Sequence, residues 1–65
     1  MTVLDDIEAS IPALRRYARA LVRDRDRADD LVQDCLERAV AKRHLWRGDG
    51  PVQAWLFRIL INRYR

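Results

Sequence analysis

Two groups of side chains in this 65-residue chain have types and spacings that could do chemistry. The first is the run Asp29-Asp30-Leu31-Val32-Gln33-Asp34, followed by Glu37 and Arg38. On a helix, Asp30, Gln33 and Asp34 share one face, because residues three and four apart are neighbours. Asp29, Glu37 and Arg38 flank them. Carboxylates and an amide on one exposed face suit a basic protein surface. An ordinary solvated helix face has the same composition, so the run alone does not decide between the two. The second group is the segment His44–Pro51 together with the C-terminal stretch after it. It carries His44, Trp46, Arg47 and the triplet Gly48-Asp49-Gly50, then Gln53, Trp55, Arg58, Asn62, Arg63 and Arg65. Cations neutralise phosphates, aromatics stack on bases, and glycines let backbone approach a ligand closely.

Other chemistries find no support in the sequence. No nucleophile stands beside a base, and no Gly-rich phosphate loop is present. Cys35 is the only cysteine and His44 the only histidine, so neither an internal disulfide nor an ordinary zinc site can be built. Cys35 lies on the apolar side of its helix and reads as a buried structural thiol. His44, at a helix end, reads as a C-terminal cap rather than a ligand. No metal, cofactor or catalytic residue is expected. The N-terminus carries acids where a signal peptide would carry bases, and no apolar run reaches membrane-spanning length, so no membrane partner is expected. A lone cysteine fits a reducing, cytoplasmic setting.

The elements that position these groups read as helices. Ala, Leu and Arg dominate the composition, and no alternating β-branched run suggests a strand. The first helical pattern runs from about Val3 to Val22. Its apolar face is Leu4, Ile7, Ile11, Leu14, Ala18 and Leu21. Pro12 interrupts it, so either a kink or a short lead-in turn is expected, with Ser10 able to cap the main helix. Arg15, Arg16, Arg19 and Arg23 form a basic stripe on the other side. The second helix spans about Arg27–Arg43, capped by Asp24 or Asp26, with Ala28, Leu31, Val32, Cys35, Leu36, Ala39 and Val40 as its apolar face. The third runs from about Val52 to the end and is apolar over most of its circumference. Two preceding helices are little cover for it; the surface around Phe57, Leu60, Ile61 and Tyr64 is therefore expected to meet either more of a longer chain or a second copy, giving a homodimer. The fold class is all-α, with three principal helices.

Charge divides the chain. Residues 1–37 carry six basic and nine acidic side chains, a net −3, whereas residues 38–65 carry seven basic and one acidic, a net +6. The halves should prefer different partners: a basic protein for the first, nucleic acid for the second.

Two segments resemble a known family. Asp29–Asp34 with Leu36-Glu37-Arg38-Ala39 is similar to the "D-D/E-L-V-Q-E/D" helix of region 2 in bacterial sigma factors. His44-Leu45-Trp46-Arg47, the glycine loop, Ala54-Trp55-Leu56-Phe57-Arg58-Ile59 and Asn62 resemble the segment that comes after it in the family. Arg15-Arg16-Tyr17-Ala18-Arg19-Ala20-Leu21 and the Arg23–Arg38 run are most similar to extracytoplasmic-function (ECF) sigma factors of the alphaproteobacterial general-stress type. The resemblance covers about residues 11–65, and two motifs at the right separation make it specific.

The resemblance implies a function. The face made by Asp30, Gln33 and Asp34, with Asp29, Glu37 and Arg38, would dock on the clamp coiled coil of the largest subunit of the RNA polymerase core. The loop residues His44, Trp46, Arg47, Gly48, Asp49 and Gly50, and the helix residues Gln53, Trp55, Arg58, Asn62, Arg63 and Arg65, would recognise and melt the minus-ten promoter element, taking a flipped base of the non-template strand. Trp55 aligns with a strand-separating aromatic of primary sigma factors but can equally be core; Trp46 is open between core and stacking platform. Leu56 stands where primary sigma factors have a second aromatic. An anti-sigma factor is a further expected partner. The rival is a sigma-mimicking adaptor, which copies the fold to sequester an anti-sigma factor and does not engage promoter DNA. The chain is read as a region 2 domain over residues 1–65, truncated before the region 4 helix-turn-helix of full sigma factors.

Overall fold

Thr2 starts the first helix with a reciprocal cap: the Asp5 amide donates to Thr2 Oγ1 at 3.3 Å, and the Thr2 amide donates to Asp5 Oδ2 at 3.1 Å. The computed structural model describes residues 2–48 and 50–65 and contains four α-helices: α1 Val3–Ala9, α2 Ile11–Leu21, α3 Arg25–Ala41 and α4 Val52–Tyr64. A single 3-10 turn, Arg43–Leu45, follows α3.

The expected first helix is thus two. The division falls at Ser10, because Pro12 has no amide hydrogen for the carbonyl four residues back. Ser10 does not cap α2 through its side chain. Its hydroxyl instead donates backward to the Asp6 carbonyl at 2.9 Å, while its own carbonyl accepts from the Leu14 amide at 3.0 Å. Asp24, rather than Asp26, caps α3; its Oδ1 accepts from the amides of Asp26 and Arg27 at 3.0 and 3.2 Å. The helix therefore begins and ends two residues earlier than the apolar pattern alone suggests. At its end the Arg43 guanidinium, not His44, takes an orphan carbonyl, that of Val40, at 2.6 Å.

The core is Ile7, Leu14, Ala18, Ala28, Val32, Cys35, Ala39, Val52, Leu56 and Leu60. Ala18, Ala28 and Ala39 are small, which lets the helix axes approach. Val40, expected on the core side of α3, lies exposed at its edge. α4 is covered from three directions: α3 along its length, α2 through Phe57, and α1 folded back over it. The Phe57 ring stacks on Tyr17 of α2, with centroids 4.9 Å apart.

This corrects the expectation that α4 lacks a neighbour. The break at Pro12 frees α1 to supply one. Leu60 is fully buried within the chain and cannot belong to an outward surface. Tyr64 remains half exposed, with its hydroxyl donating to the Leu21 carbonyl at 3.4 Å.

The role of α1 as cover has a measurable consequence. Ile7 is 3% exposed and is its only buried side chain. Ile7→Ala should lower stability by about 2–4 kcal/mol in urea unfolding. A single core of this size rarely supplies more than about 3–5 kcal/mol, so the variant should be largely unfolded at ambient temperature. A loss below about 0.5 kcal/mol would show that α1 does not close the core.

Candidate acidic docking face and nucleic-acid interface

The two faces of α3 follow from its sequence period. Ala28, Val32, Cys35 and Ala39 point into the core, and this leaves Asp29, Asp30, Gln33, Glu37 and Arg38 exposed, with Asp34 at the boundary. The expected docking residues are therefore brought together on the outer surface. Gln33 Nε2 donates to Glu37 Oε1 at 3.4 Å. The flanks of the face are tied to neighbouring helices: Asp29 lies 3.9 Å from Arg19 of α2, and Asp34 accepts a hydrogen bond from Arg63 Nε of α4. Between α3 and α4 is a hollow of about 410 Å³ lined by Arg27, Asp30, Leu31, Asp34 and Arg63.

Inward of this face, Cys35 is fully buried and its thiol donates to the Leu56 carbonyl at 3.4 Å. Burial, assisted by the adjacent Asp34 charge, raises the thiol from its ordinary 9.0 to about 11. A protonated, enclosed thiol is a packing group, not a nucleophile.

The second surface is built by the loop and the first half of α4. Gly48 and Gly50 have φ of 76° and 117°, a region that side-chain-bearing residues rarely adopt. A Cβ at either would meet nothing within 4 Å, so backbone conformation rather than crowding calls for glycine. The turn carries Trp46 back against Trp55, with ring centroids 5.7 Å apart and planes inclined by 36°. Both indoles are half-buried. They are therefore partly core and partly wall: with Leu45, Arg47, Pro51, Ala54 and Arg58 they line a cleft of about 430 Å³. Trp46 also borders a second hollow, about 480 Å³, shared by Gly48, Gly50, Val52 and Gln53 with Asp6, Ala9 and Ser10 of the α1–α2 junction.

Trp46, Arg47, Gly48, Gly50, Gln53, Trp55 and Arg58 are thus assembled in two adjoining depressions. His44, Asn62 and Arg65 are exposed but line neither. Arg63, expected beside them, turns toward α3 instead. Asp49 lies outside the described residues. The contribution of Asp6 and Ser10 has no counterpart among the expected site residues, although the Pro12 break is the signal that α1 could fold back to this place. Trp46 and Arg58 offer a stacking surface beside a cation, the combination that holds single-stranded nucleic acid.

An all-α module with an exposed acidic helix face and a cationic aromatic cleft is the class these features define. Comparison with known proteins gives it a family: the domain model described as the Sigma2 domain of PhyR matches residues 7–61. The "ECF RNA polymerase sigma factor EcfG" of Rhodopseudomonas palustris (strain TIE-1) is 48% identical over 61 residues, which is 94% of this chain and 34% of that protein. The chain belongs to the region 2 domain family of ECF sigma factors. It spans about a third of the length of the curated relative it matches. No solved structure matches it. No helix among the described residues is long and apolar enough to cross a membrane.

The thiol predicts a pH dependence. Cys35 holds its proton more tightly folded than unfolded, so between about pH 9 and about 11 the unfolded state binds fewer protons. The stabilisation from this group is complete below about 9 and lost as pH rises to about 11, on the order of 2 kcal/mol in all. Urea unfolding of the chain and of Cys35→Ala across this range should differ in slope. Parallel profiles would mean that the thiol is not enclosed.

Proposed function

We propose that the chain is the domain of a general-stress ECF sigma factor that binds the RNA polymerase core and opens the minus-ten promoter element. The α3 face centred on Asp30, Gln33 and Asp34 docks on the clamp coiled coil of the largest subunit. The loop and α4 take up the non-template strand, with the protein acting in the cytoplasm as a non-enzymatic transcription factor. The observation that carries the reading is the Trp46–Trp55 cleft with Arg47 and Arg58 on its rim. A base can enter against the indoles while the guanidiniums hold the adjoining phosphates. The net +6 of residues 38–65 supports the same assignment. The similarity to EcfG supports the sigma-factor role and leaves an anti-sigma factor as an expected further partner.

The DNA half of the proposal is tested in polymerase holoenzyme carrying the full-length protein, against a panel of minus-ten variants. Arg58→Gln should weaken binding to all of them alike and flatten the salt dependence by about 0.7 in log–log slope, one single-strand phosphate contact. Exchange of the Arg47–Gly50 loop should change which base is preferred. A loop exchange that leaves the preference untouched moves recognition to α4.

The docking half predicts that Asp30→Lys lowers affinity for the clamp coiled coil about tenfold or more, with helicity unchanged because the side chain is exposed. Titration monitored by fluorescence decides it. A chain that bound an anti-sigma factor but neither the clamp nor DNA would instead be a sigma-mimicking adaptor.

A further inference from the structure

The hollow between the loop and the α1–α2 junction contains a carboxylate that the fold does not use. Asp6 lines it, half-buried, and among the described residues its side chain makes neither an ion pair nor a hydrogen bond. Ser10, 5% exposed in the same lining, is already engaged, because its hydroxyl donates to the Asp6 carbonyl. Gln53 brings an exposed carboxamide from the first turn of α4, and Trp46 brings an indole. At about 480 Å³ the hollow has the size of a small-ligand site and admits a nucleobase.

A carboxylate has acceptor oxygens only, so whatever enters beside Asp6 must bring donors. Two donors side by side are the best match, as in bidentate carboxylate recognition. A base taken out of the stack presents its Watson–Crick edge. Of the four DNA bases, only guanine has such a pair there, the ring N1–H and the N2 amino group. Its O6, next to them, accepts from a carboxamide N–H. Adenine and cytosine each offer one amino group beside an unprotonated ring nitrogen, whose lone pair would face the carboxylate. Thymine offers one N–H between two carbonyls. We propose that Asp6 is a specificity-determining residue. With Gln53 it reads a guanine extruded into this hollow against Trp46, the carboxylate accepting from N1 and N2 and the carboxamide donating to O6. The inference rests on the reading that the loop and α4 take up single-stranded DNA, and it adds α1 to the surface that reads the base. It also supplies rejection: a carboxylate repels the phosphate chain, and a base without the paired donors leaves it unmatched.

Fluorescence anisotropy tests this with the chain and labelled oligothymidine of about twelve nucleotides, unsubstituted or carrying one central guanine, hypoxanthine, adenine or cytosine. The guanine strand should bind about tenfold more tightly than oligothymidine, the worth of one good bidentate pair. Hypoxanthine keeps N1–H and O6 but lacks the N2 amino group, and should gain only about threefold. Asp6→Asn should bring guanine to within about twofold of oligothymidine. The same variant should bind oligothymidine itself no more weakly, because a negative charge has gone; a merely structural defect in α1 would weaken every strand. The comparison of guanine with hypoxanthine needs no substitution and is independent of how the variant folds. Equal binding of those two strands by the unsubstituted chain, or a guanine preference that survives Asp6→Asn, overturns the assignment. If the chain binds no strand at all, the proposed function falls and the assignment with it. If it binds all strands alike, only the assignment falls.

Discussion

Val52, Leu56 and Leu60 recur every four residues along α4, and all three are buried. Trp55, Phe57, Ile59 and Ile61 beside them are half-buried, so apolar surface runs around most of the helix. A helix of this kind has to be enclosed, and in 65 residues there is little chain with which to do it. The rest of the fold follows from that demand. Pro12 divides the N-terminal segment so that α1 can lie on α4, while α2 supplies Tyr17 against Phe57. α3 presents alanines and Cys35 so that it can come close; at Cys35 the approach is tight enough for the thiol to reach the Leu56 carbonyl. A larger side chain at Cys35 would overfill this contact.

Enclosure also decides where the charges go. With α3 committed to α4 through its small residues, its acids have only the outer face. With α4 committed on three sides, its polar positions are confined to Gln53 in its first turn, the strip of Arg58, Asn62 and Arg65, and Arg63 at the seam. The acidic and basic surfaces are consequently neighbours rather than opposites, and at Asp34 and Arg63 they touch. Arg19 and Asp29 make a second such join between α2 and α3. Ion pairs this exposed add little stability each. Their weight lies in fixing which charges face a partner and which are already engaged.

Much of this is legible in the sequence, and the parts that are not share a cause. The all-α class, the loop between Lys42 and Val52, the inward face of α3 and the outward position of Asp30 and Gln33 all follow from period and punctuation, which are local. The split at Ser10 is half legible: Pro12 announces a break, but the break does not say whether the preceding turn packs or trails. The cover of α4 by α1, the burial of Leu60 and the pairing of Asp34 with Arg63 depend on how helices are set against one another. Arg63 and Asp34 are 29 residues apart, and no local pattern links them. Arg63 reads as part of a basic stripe because its neighbours in sequence do; its position on the helix turns it toward α3. The same holds for Trp46 and Trp55, each open between core and platform in the sequence. They are half of each, because one wall of the cleft is also the edge of the core.

That double use of Trp46 ties the site to the constraint on α4. Trp46 packs against Trp55 in the cleft edged by Arg47 and Arg58, and it also lines the hollow closed by Asp6, Ala9 and Ser10. The helix recruited to cover α4 therefore also builds a wall of the loop hollow. The two depressions differ in charge as a result. Guanidiniums edge the first and suit phosphate. A carboxylate edges the second, which repels phosphate but can accept from the amino group of a base. Under the proposed function, a strand crossing Trp46 would leave its backbone on the Arg47–Arg58 side and could turn a base toward Asp6 and Gln53. The orientation of the strand would then be set by α1, the element whose sequence carries the least sign of a role in binding.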